Sequence, residues 1–254
     1  MNYTDLRMGD NLPMVGVLQL LLNRTGASLV PDGNFGPKTF AAVIAFQKPR
    51  RLVADGIVGE KTWGRLTSGV SLPIVDSVDI WDPTFFNEDA TDVRKAGGNP
   101  LVMGGMCNGV EQAVSLLAPV RNVFLLRFHG HGAPGGVGVS FGHGELDPSW
   151  QERSAIMSDP VIVNTLARLR PVFGPYGCIE FISCETGRGQ AGKRLLSQIA
   201  SRLGVPVVGA VLDQPFSKTA SFRLFGPTVT AVPGGASLSN WCRALPAFPG
   251  MTVA

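Results

Sequence analysis

The chain has 254 residues, 44% of them hydrophobic and 16% charged, a balance that allows one large or two smaller globular domains with proper cores. A net charge of +3 is too small to argue for a nucleic-acid partner, and no apolar run nears the roughly eighteen residues of a membrane span. The opening "MNYTDLRMGDNLP" lacks a basic region followed by an apolar stretch, so no ordinary secretion signal is expected.

In the first sixty-odd residues, "VGVLQLLLNR" places Val15, Leu18, Leu21 and Leu22 on one helical stripe. "KTFAAVIAFQ" does the same with Phe40, Val43, Ile44 and Phe46. The turns after these helices, "VPDGNFGPKT" and "VADGIVGEKTW", echo each other: Asp-Gly, a further Gly, then Lys-Thr opening the next helix. Asp-Gly supplies positive φ, and Pro37 suits a first helical turn.

That doubled turn, with Gly9, Leu18-Gln19 and "AVIAFQ", resembles the three-helix peptidoglycan-binding domain found on many cell-wall hydrolases. The resemblance implies a small all-α module over residues 1–68 whose partner is peptidoglycan or its peptide stems. Asp32, Asn34, Phe35, Asp55 and Trp63 are candidates near its groove, although the aspartates equally suit turns and Trp63 suits a core better than a ligand platform. Arg51 stands where that family usually has Gly, which puts the local turn in question.

Residues 67 to 80 read as a connector entering a first strand. Beyond it, the strand candidates "PLVMGG", "NVFLLRF", "CIEFIS" and "VPVVGAV" alternate with the helix candidates "GVEQAVSLLAPV", "DPVIVNTLARLRPVF" and "QAGKRLLSQIASRLG". Such alternation predicts an α/β domain over residues 71–254 with a mainly parallel sheet, and "ASFRLFGPTVTAVPGG" is expected to add an edge hairpin.

In such sheets, active sites gather beyond the carboxyl ends of the strands. "NVFLLRF" delivers His129, Gly130, His131 and Gly132 there; "CIEFIS" delivers Cys184, Glu185, Thr186 and Gly187. A cysteine attacks as thiolate, and a neighbouring imidazole can take its proton. The helix that follows Cys184 favours the anion through its dipole, and the N–H groups of Gly132 and Cys184 are candidate oxyanion donors.

The ending "FHGHG" of one strand and "ISCETG" of a later one resemble the caspase, gingipain and separase group of cysteine peptidases. The resemblance implies a caspase-like α/β/α sandwich with His131 as general base or acid and Cys184 as nucleophile. His129, one pleat step away, is an alternative catalytic residue. There is no "QAC" before the cysteine, so side-chain preference stays open; Glu185 and Asp213 are candidates for a pocket taking a basic side chain, with Glu145 and Asp147 competing. His143 is expected in a hairpin turn.

The other thiols, Cys107, Cys178 and Cys242, lack zinc-knuckle spacing, and free thiols are expected. His-x-His is a ligand spacing, but no carboxylate is evident that would orient the imidazoles on a metal, so no metal and no cofactor is expected. Together these features predict a cysteine hydrolase held at peptidoglycan, cleaving amide bonds in wall peptides or in envelope proteins. A wall target without an ordinary signal implies specialised secretion, as for an antibacterial effector, or phage lysis. The rivals are a non-catalytic wall-binding protein on a caspase-like scaffold, and a protein-specific protease merely placed at the wall.

Overall fold

The computed structural model describes residues 2–79, 83–104, 108–140, 155–215 and 222–248, with the backbone alone for 83–87. The chain divides into two compact units. One is Met1–Leu72 with Ser221–Arg223 and Ala236–Ala254; the other is Pro73–Ala220 with Leu224–Gly235.

The first unit is built on α1 (Pro13–Arg24), α2 (Pro37–Gln47) and α3 (Glu60–Leu66). Proline opens α1 and α2, where the missing N–H costs nothing. The buried faces carry Val15, Leu18, Leu21, Leu22, Val43, Phe46 and Trp63. Each such side chain contributes about 1.5–3 kcal/mol by leaving water.

The doubled turn is held by a doubled hydrogen-bond cluster. Gln19 Nε2 donates to Asp32 Oδ1 at 2.8 Å, to the Asn34 carbonyl at 3.1 Å and to Thr39 Oγ1 at 3.1 Å. Gln47 Nε2 donates to Asp55 Oδ1 at 3.2 Å, to the Ile57 carbonyl at 2.9 Å and to Thr62 Oγ1 at 3.2 Å. Each glutamine oxygen accepts from the turn in return, Gln19 from the N–H groups of Asp32 and Gly33 and Gln47 from that of Gly56. Both glutamines are buried, so these bonds replace the water the amides give up.

Arg51 adopts φ 56°, the left-handed region, immediately after a short 3-10 turn. That is the physical reason glycine is usual at this point of the resembling family: only glycine enters the region without a Cβ penalty.

The expected domains were two contiguous stretches, 1–68 and 71–254. In the structure the chain comes back: a short helix α8 (Leu238–Arg243, numbered after the elements below) joins the first unit against α1. Gly16 and Gly33 make room for it. A Cβ on Gly16 would lie 2.4 Å from Cys242 Sγ, and one on Gly33 would lie 2.8 Å from Leu238 Cδ2. Arg223 also belongs to this unit, with a two-pronged ion pair to Asp10 at 2.5 Å per contact.

The second unit contains β1 (Ile74–Asp79), α4 (Pro83–Lys95), β2 (Leu101–Met103), α5 (Gly109–Leu117) and β3 (Val123–His129). A small hairpin follows, β4 (Gly132–Ala133) and β5 (Gly136–Gly138), then β6 (Ala155–Met157), α6 (Pro160–Ala167) and β7 (Phe173–Ile182). The last elements are α7 (Gly189–Leu203), β8 (Val207–Ala210) and β9 (Thr228–Ala231). The main sheet runs β2-β1-β3-β7-β8-β9, parallel except for β9, and β4-β5-β6 form a separate antiparallel sheet. The expected parallel α/β domain is present. Among the described residues, the expected edge hairpin is instead one strand, β9, paired with β8.

All seven residues of β3 are buried. Leu126 and Phe128, with Ile179 and Phe181 of β7, belong to the core that includes Val114 of α5, Ile162 and Leu166 of α6, and Leu195, Ile199 and Leu203 of α7. Intervening positions are polar: Asp76, Arg127 and Glu180 are register partners across β1, β3 and β7, and all are buried. Arg127 Nε lies 3.4 Å from Asp76 Oδ1. A buried guanidinium needs such carboxylate company to offset its lost hydration.

Candidate functional site at the ends of β3 and β7

The pairing of β3 with β7 matches His129 with Ile182. Counting two residues beyond that pair brings the chain to His131 on one side and Cys184 on the other, so the two segments leave the sheet as neighbours. Their backbones touch: a Cβ on Gly132 would lie 2.2 Å from the Cys184 carbonyl oxygen and 2.9 Å from the Cys184 nitrogen. Glycine is the one residue that lets the segments approach this closely.

The contact is braced by hydrogen bonds. Ser183 Oγ and Thr186 Oγ1 are 2.6 Å apart, and Thr186 Oγ1 also lies 3.3 Å from the Gly136 carbonyl oxygen, to which it can donate. The Gly135 N–H donates to the Thr186 carbonyl at 3.3 Å. The hairpin after His131 and the loop after Cys184 are therefore tied at several points. Ser183 was not singled out in the sequence, and Thr186 was named only as a residue delivered to the rim, although both stand within two residues of Cys184.

The hairpin register also sets the direction of the Gly132 N–H. The Gly138 N–H donates to the His131 carbonyl at 2.8 Å, and Gly132 faces Val137 one step along. Hydrogen-bonded and non-hydrogen-bonded pairs alternate in an antiparallel ladder. Gly132 thus occupies a non-hydrogen-bonded position, and its N–H points away from β5, as an oxyanion donor requires.

Cys184 is half-buried and a free thiol. Its sulfur accepts from the Gln214 N–H at 3.3 Å. Glu185 has φ 51°, a left-handed conformation at a non-glycine residue directly after the cysteine. Strain of this kind persists only where the surroundings hold it, here through the Glu185 N–H donating to the Leu212 carbonyl at 3.1 Å. α7 begins at Gly189, close after Cys184 in the chain. Gly192, Gly187 and Gly209 allow its start to pack tightly: a Cβ on Gly192 would lie 2.5 Å from the Thr186 oxygen.

The other nominated residues fall elsewhere. His129 is buried, with Nε2 2.9 Å from Asp76 Oδ1 and Nδ1 3.5 Å from Asp89 Oδ2. Burial pulls its pKa down, but the hydrogen bonds and charges of Asp76 and Asp89 outweigh that, and the net shift is upward. This places His129 in the interior polar cluster rather than on the open rim. Glu185 forms an ion pair with Arg188, so its charge is already met, whereas Asp213 is exposed. His143, Glu145, Asp147 and Cys107 lie outside the described residues.

In the first unit, Phe35 and Trp63 are fully buried, and Trp63 stacks on Tyr3 with ring centroids 4.9 Å apart. Their side chains fill the interior and are not surface platforms for a ligand. Asp32 and Asp55 each spend an oxygen on the turn, accepting from the N–H groups of Asn34 and Ile57. Asn34 is exposed.

Among the described residues no group of three or more His, Cys, Asp or Glu side chains could hold a metal ion, and no helix is long and apolar enough to cross a membrane. A recess of about 560 Å³ opens beside the hairpin turn, lined by Gly135, Met157, Ser158, Asp159, Gln190, Ala191 and Arg194. It is large enough for a small ligand or a few residues of a peptide. Neither His131 nor Cys184 lines it.

Comparison with known proteins bears on the first unit. Residues 11–66 match the family model described as a putative peptidoglycan binding domain. An uncharacterized protein in the bpoA1 3'region of Kitasatospora aureofaciens is 46% identical over 63 residues, 24% of this chain and 53% of that protein. A zinc D-Ala-D-Ala carboxypeptidase of Streptomyces albus G is 52% identical over 42 residues, 16% of each chain. The chain thus spans about half the length of one curated relative and about a sixth of the other.

Among solved structures, a peptidoglycan-binding protein from Clostridioides difficile, in complex with glutamine hydroxamate, is 35% identical with a TM-score of 0.26, covering 28% of this chain and 47% of that one. The endolysin of Burkholderia AP3 phage is 38% identical with a TM-score of 0.25, covering 35% of this chain and 33% of that one. With its three helices and doubled turn, the stretch 11–66 of this chain is a peptidoglycan-binding domain.

Proposed function

We propose that the chain is a cysteine hydrolase brought to the cell wall by its peptidoglycan-binding domain, with Cys184 as nucleophile and His131 as general base and acid. The observation that carries this reading is the juxtaposition of the two segments: adjacent parallel strands in register, backbones in contact at Gly132. The second unit is read as a caspase-like sandwich of the kind the two motifs resemble, and its mainly parallel sheet with helices is compatible with that.

The chemistry follows from the groups present. His131 takes the proton of the Cys184 thiol, and the sulfur attacks the carbonyl carbon of an amide. The carbonyl oxygen gathers negative charge, which the outward N–H of Gly132 stabilises. As the C–N bond breaks, His131 returns the proton to the departing amine and leaves a thioester on Cys184. A water then attacks the thioester, giving up its proton to His131, and the regenerated thiol leaves a free carboxylic acid. Each step is balanced with no cofactor.

The wall-binding domain raises the local concentration of the second unit at an insoluble polymer. A relative bearing the name carboxypeptidase, matched over 42 residues, supports a hydrolytic role. The substrate is therefore an amide of the wall's peptide stems, and the working site is the bacterial envelope.

Incubation of the full chain with purified sacculi, and separately with denatured protein, tests this. Release of soluble muropeptides that Cys184→Ala abolishes, with retention on sacculi unchanged, is the expected result. Cleavage of protein alone would replace the substrate by an envelope protein. Retention with no cleavage of either would make the chain a binding protein.

A further inference from the structure

Gln214 is thirty residues from Cys184 in the chain, yet it holds the sulfur. Its side-chain amide is fully committed. Nε2 donates to the Leu212 carbonyl at 2.9 Å and to the Phe225 carbonyl at 3.1 Å, while Oε1 accepts from the Phe225 N–H at 2.7 Å. The segment carrying it is anchored further by the Glu185 N–H to Leu212 and by the Val211 N–H to the Pro227 carbonyl at 3.1 Å. These ties leave the Gln214 main chain little freedom, and the N–H they orient points at Sγ from 3.3 Å.

A sulfur that accepts an N–H bond is better served as an anion than as a thiol, because the donor's partial positive charge meets the full negative one; the Gln214 carbonyl, to which a thiol would donate, stands farther off at 4.0 Å. The same bond restricts the sulfur to one direction, as an attacking atom requires. We propose that Gln214 is a positioning residue for Cys184: its side chain clamps the 212–214 and 225–227 segments together so that its main-chain N–H orients the sulfur and favours the thiolate. The proposal rests on the reading of Cys184 as a nucleophile and adds a group outside both motifs that suggested it.

The test is the rate at which iodoacetamide alkylates Cys184 in the full chain as a function of pH, with the labelled peptide quantified by mass spectrometry. This needs no substrate turnover, so it stands whether or not sacculi are cleaved. Gln214→Met keeps the N–H and the side-chain bulk but removes all three ties; Gln214→Pro removes the N–H itself. Near neutral pH, Gln214→Pro is expected to react about tenfold more slowly than the parent, with Gln214→Met between them. The three rates are expected to converge above about pH 10, where thiols ionise without help.

Convergence separates an electrostatic role from simple loosening, which changes the rate by a similar factor at every pH. Melting curves of both variants check that the unit is folded, and if Gln214→Pro melts early the comparison runs between the parent and Gln214→Met. Identical profiles in folded variants, or a constant ratio across the pH range, would overturn the proposal.

Discussion

Adding one carbon at Gly132 separates the two segments of the site. In Gly132→Ala the new Cβ would lie 2.2 Å from the Cys184 oxygen, 2.8 Å from Ser183 Cβ and 2.9 Å from the Cys184 nitrogen. Two of these neighbours are backbone atoms, which cannot swing aside as a long side chain can. The hairpin and the cysteine loop must part by about an ångström, straining the bonds through Thr186 that tie them. Overpacking of this kind costs about 1–3 kcal/mol. At about 2–4 °C per kcal/mol for a unit of this size, a cost of about 2 kcal/mol lowers Tm by about 4–8 °C. Gly136→Ala in the same hairpin is the control: no heavy atom lies within 4 Å of its would-be Cβ, and its φ is not in the left-handed region. It is expected to stay within about 0.5 kcal/mol of the parent. Calorimetry of both variants, with retention on sacculi to show that the wall-binding unit is intact, makes the measurement. Equal melting of Gly132→Ala and Gly136→Ala would refute the claim that the segments are in backbone contact.

Three further perturbations test other parts of the account. Gly16→Ala is expected to destabilise the first unit by about 1–3 kcal/mol, because its Cβ meets Cys242 Sγ at 2.4 Å and Cys242 Cβ at 2.9 Å, and adding Cys242→Ala, which removes the sulfur but keeps the Cβ, should restore part of the loss; no rescue in the double variant would show that α8 does not pack there. Arg51→Gly is expected to raise stability by about 0.5–1 kcal/mol in chemical denaturation, by relieving the φ of 56°, and a loss would contradict the strain. His129 has its pKa raised in the folded state by Asp76 of β1 and Asp89 of α4, within a cluster that includes Arg127 on its own strand and Glu180 on β7. Its contribution is therefore fully present below about pH 6.5 and lost as pH rises through the raised value. The gap in Tm between the parent and His129→Gln should shrink over that rise; a gap that widens would reverse the sign.

Some of this was legible in the sequence because the signal is local. The turns at Asp32-Gly33 and Asp55-Gly56 follow from residue chemistry, and their repetition marks the first module. Strands β3 and β7 were visible as apolar runs, and the glycines after each marked where the chain turns. The polar row Asp76, Arg127 and Glu180 was not legible, because each residue interrupts an apolar run without naming its partner on the next strand. The same is true of His129: its spacing from His131 suggested a shared rim, while the carboxylates that hold it inside come from β1 and α4.

Helices α4 and α8 went unread. α4 has little apolar character to announce it, and α8, although capped by Ser237, has six residues, too few to show a period, and packs against α1, far away in the chain. Gln214 carried no local signal at all, since its three ties depend on Leu212 and Phe225 being brought side by side. Gln19 and Gln47 were visible as motif letters, but their work as buried hubs of the turns needs the turns folded around them.

The central claim is that His131 activates Cys184, and the most direct measurement is thiol labelling with mapping of the labelled residue. A limiting amount of iodoacetamide at neutral pH is applied to the parent and to His131→Ala, and the four cysteines are compared. Cys178 and Cys242 are buried, and burial pushes the Cys242 thiol up to about 12, so both should react slowly in either protein. The account predicts that Cys184 is labelled ahead of Cys178 and Cys242 in the parent and loses about tenfold or more of its rate in His131→Ala. A Cys184 rate that is the same in both proteins, with both folded, would contradict it.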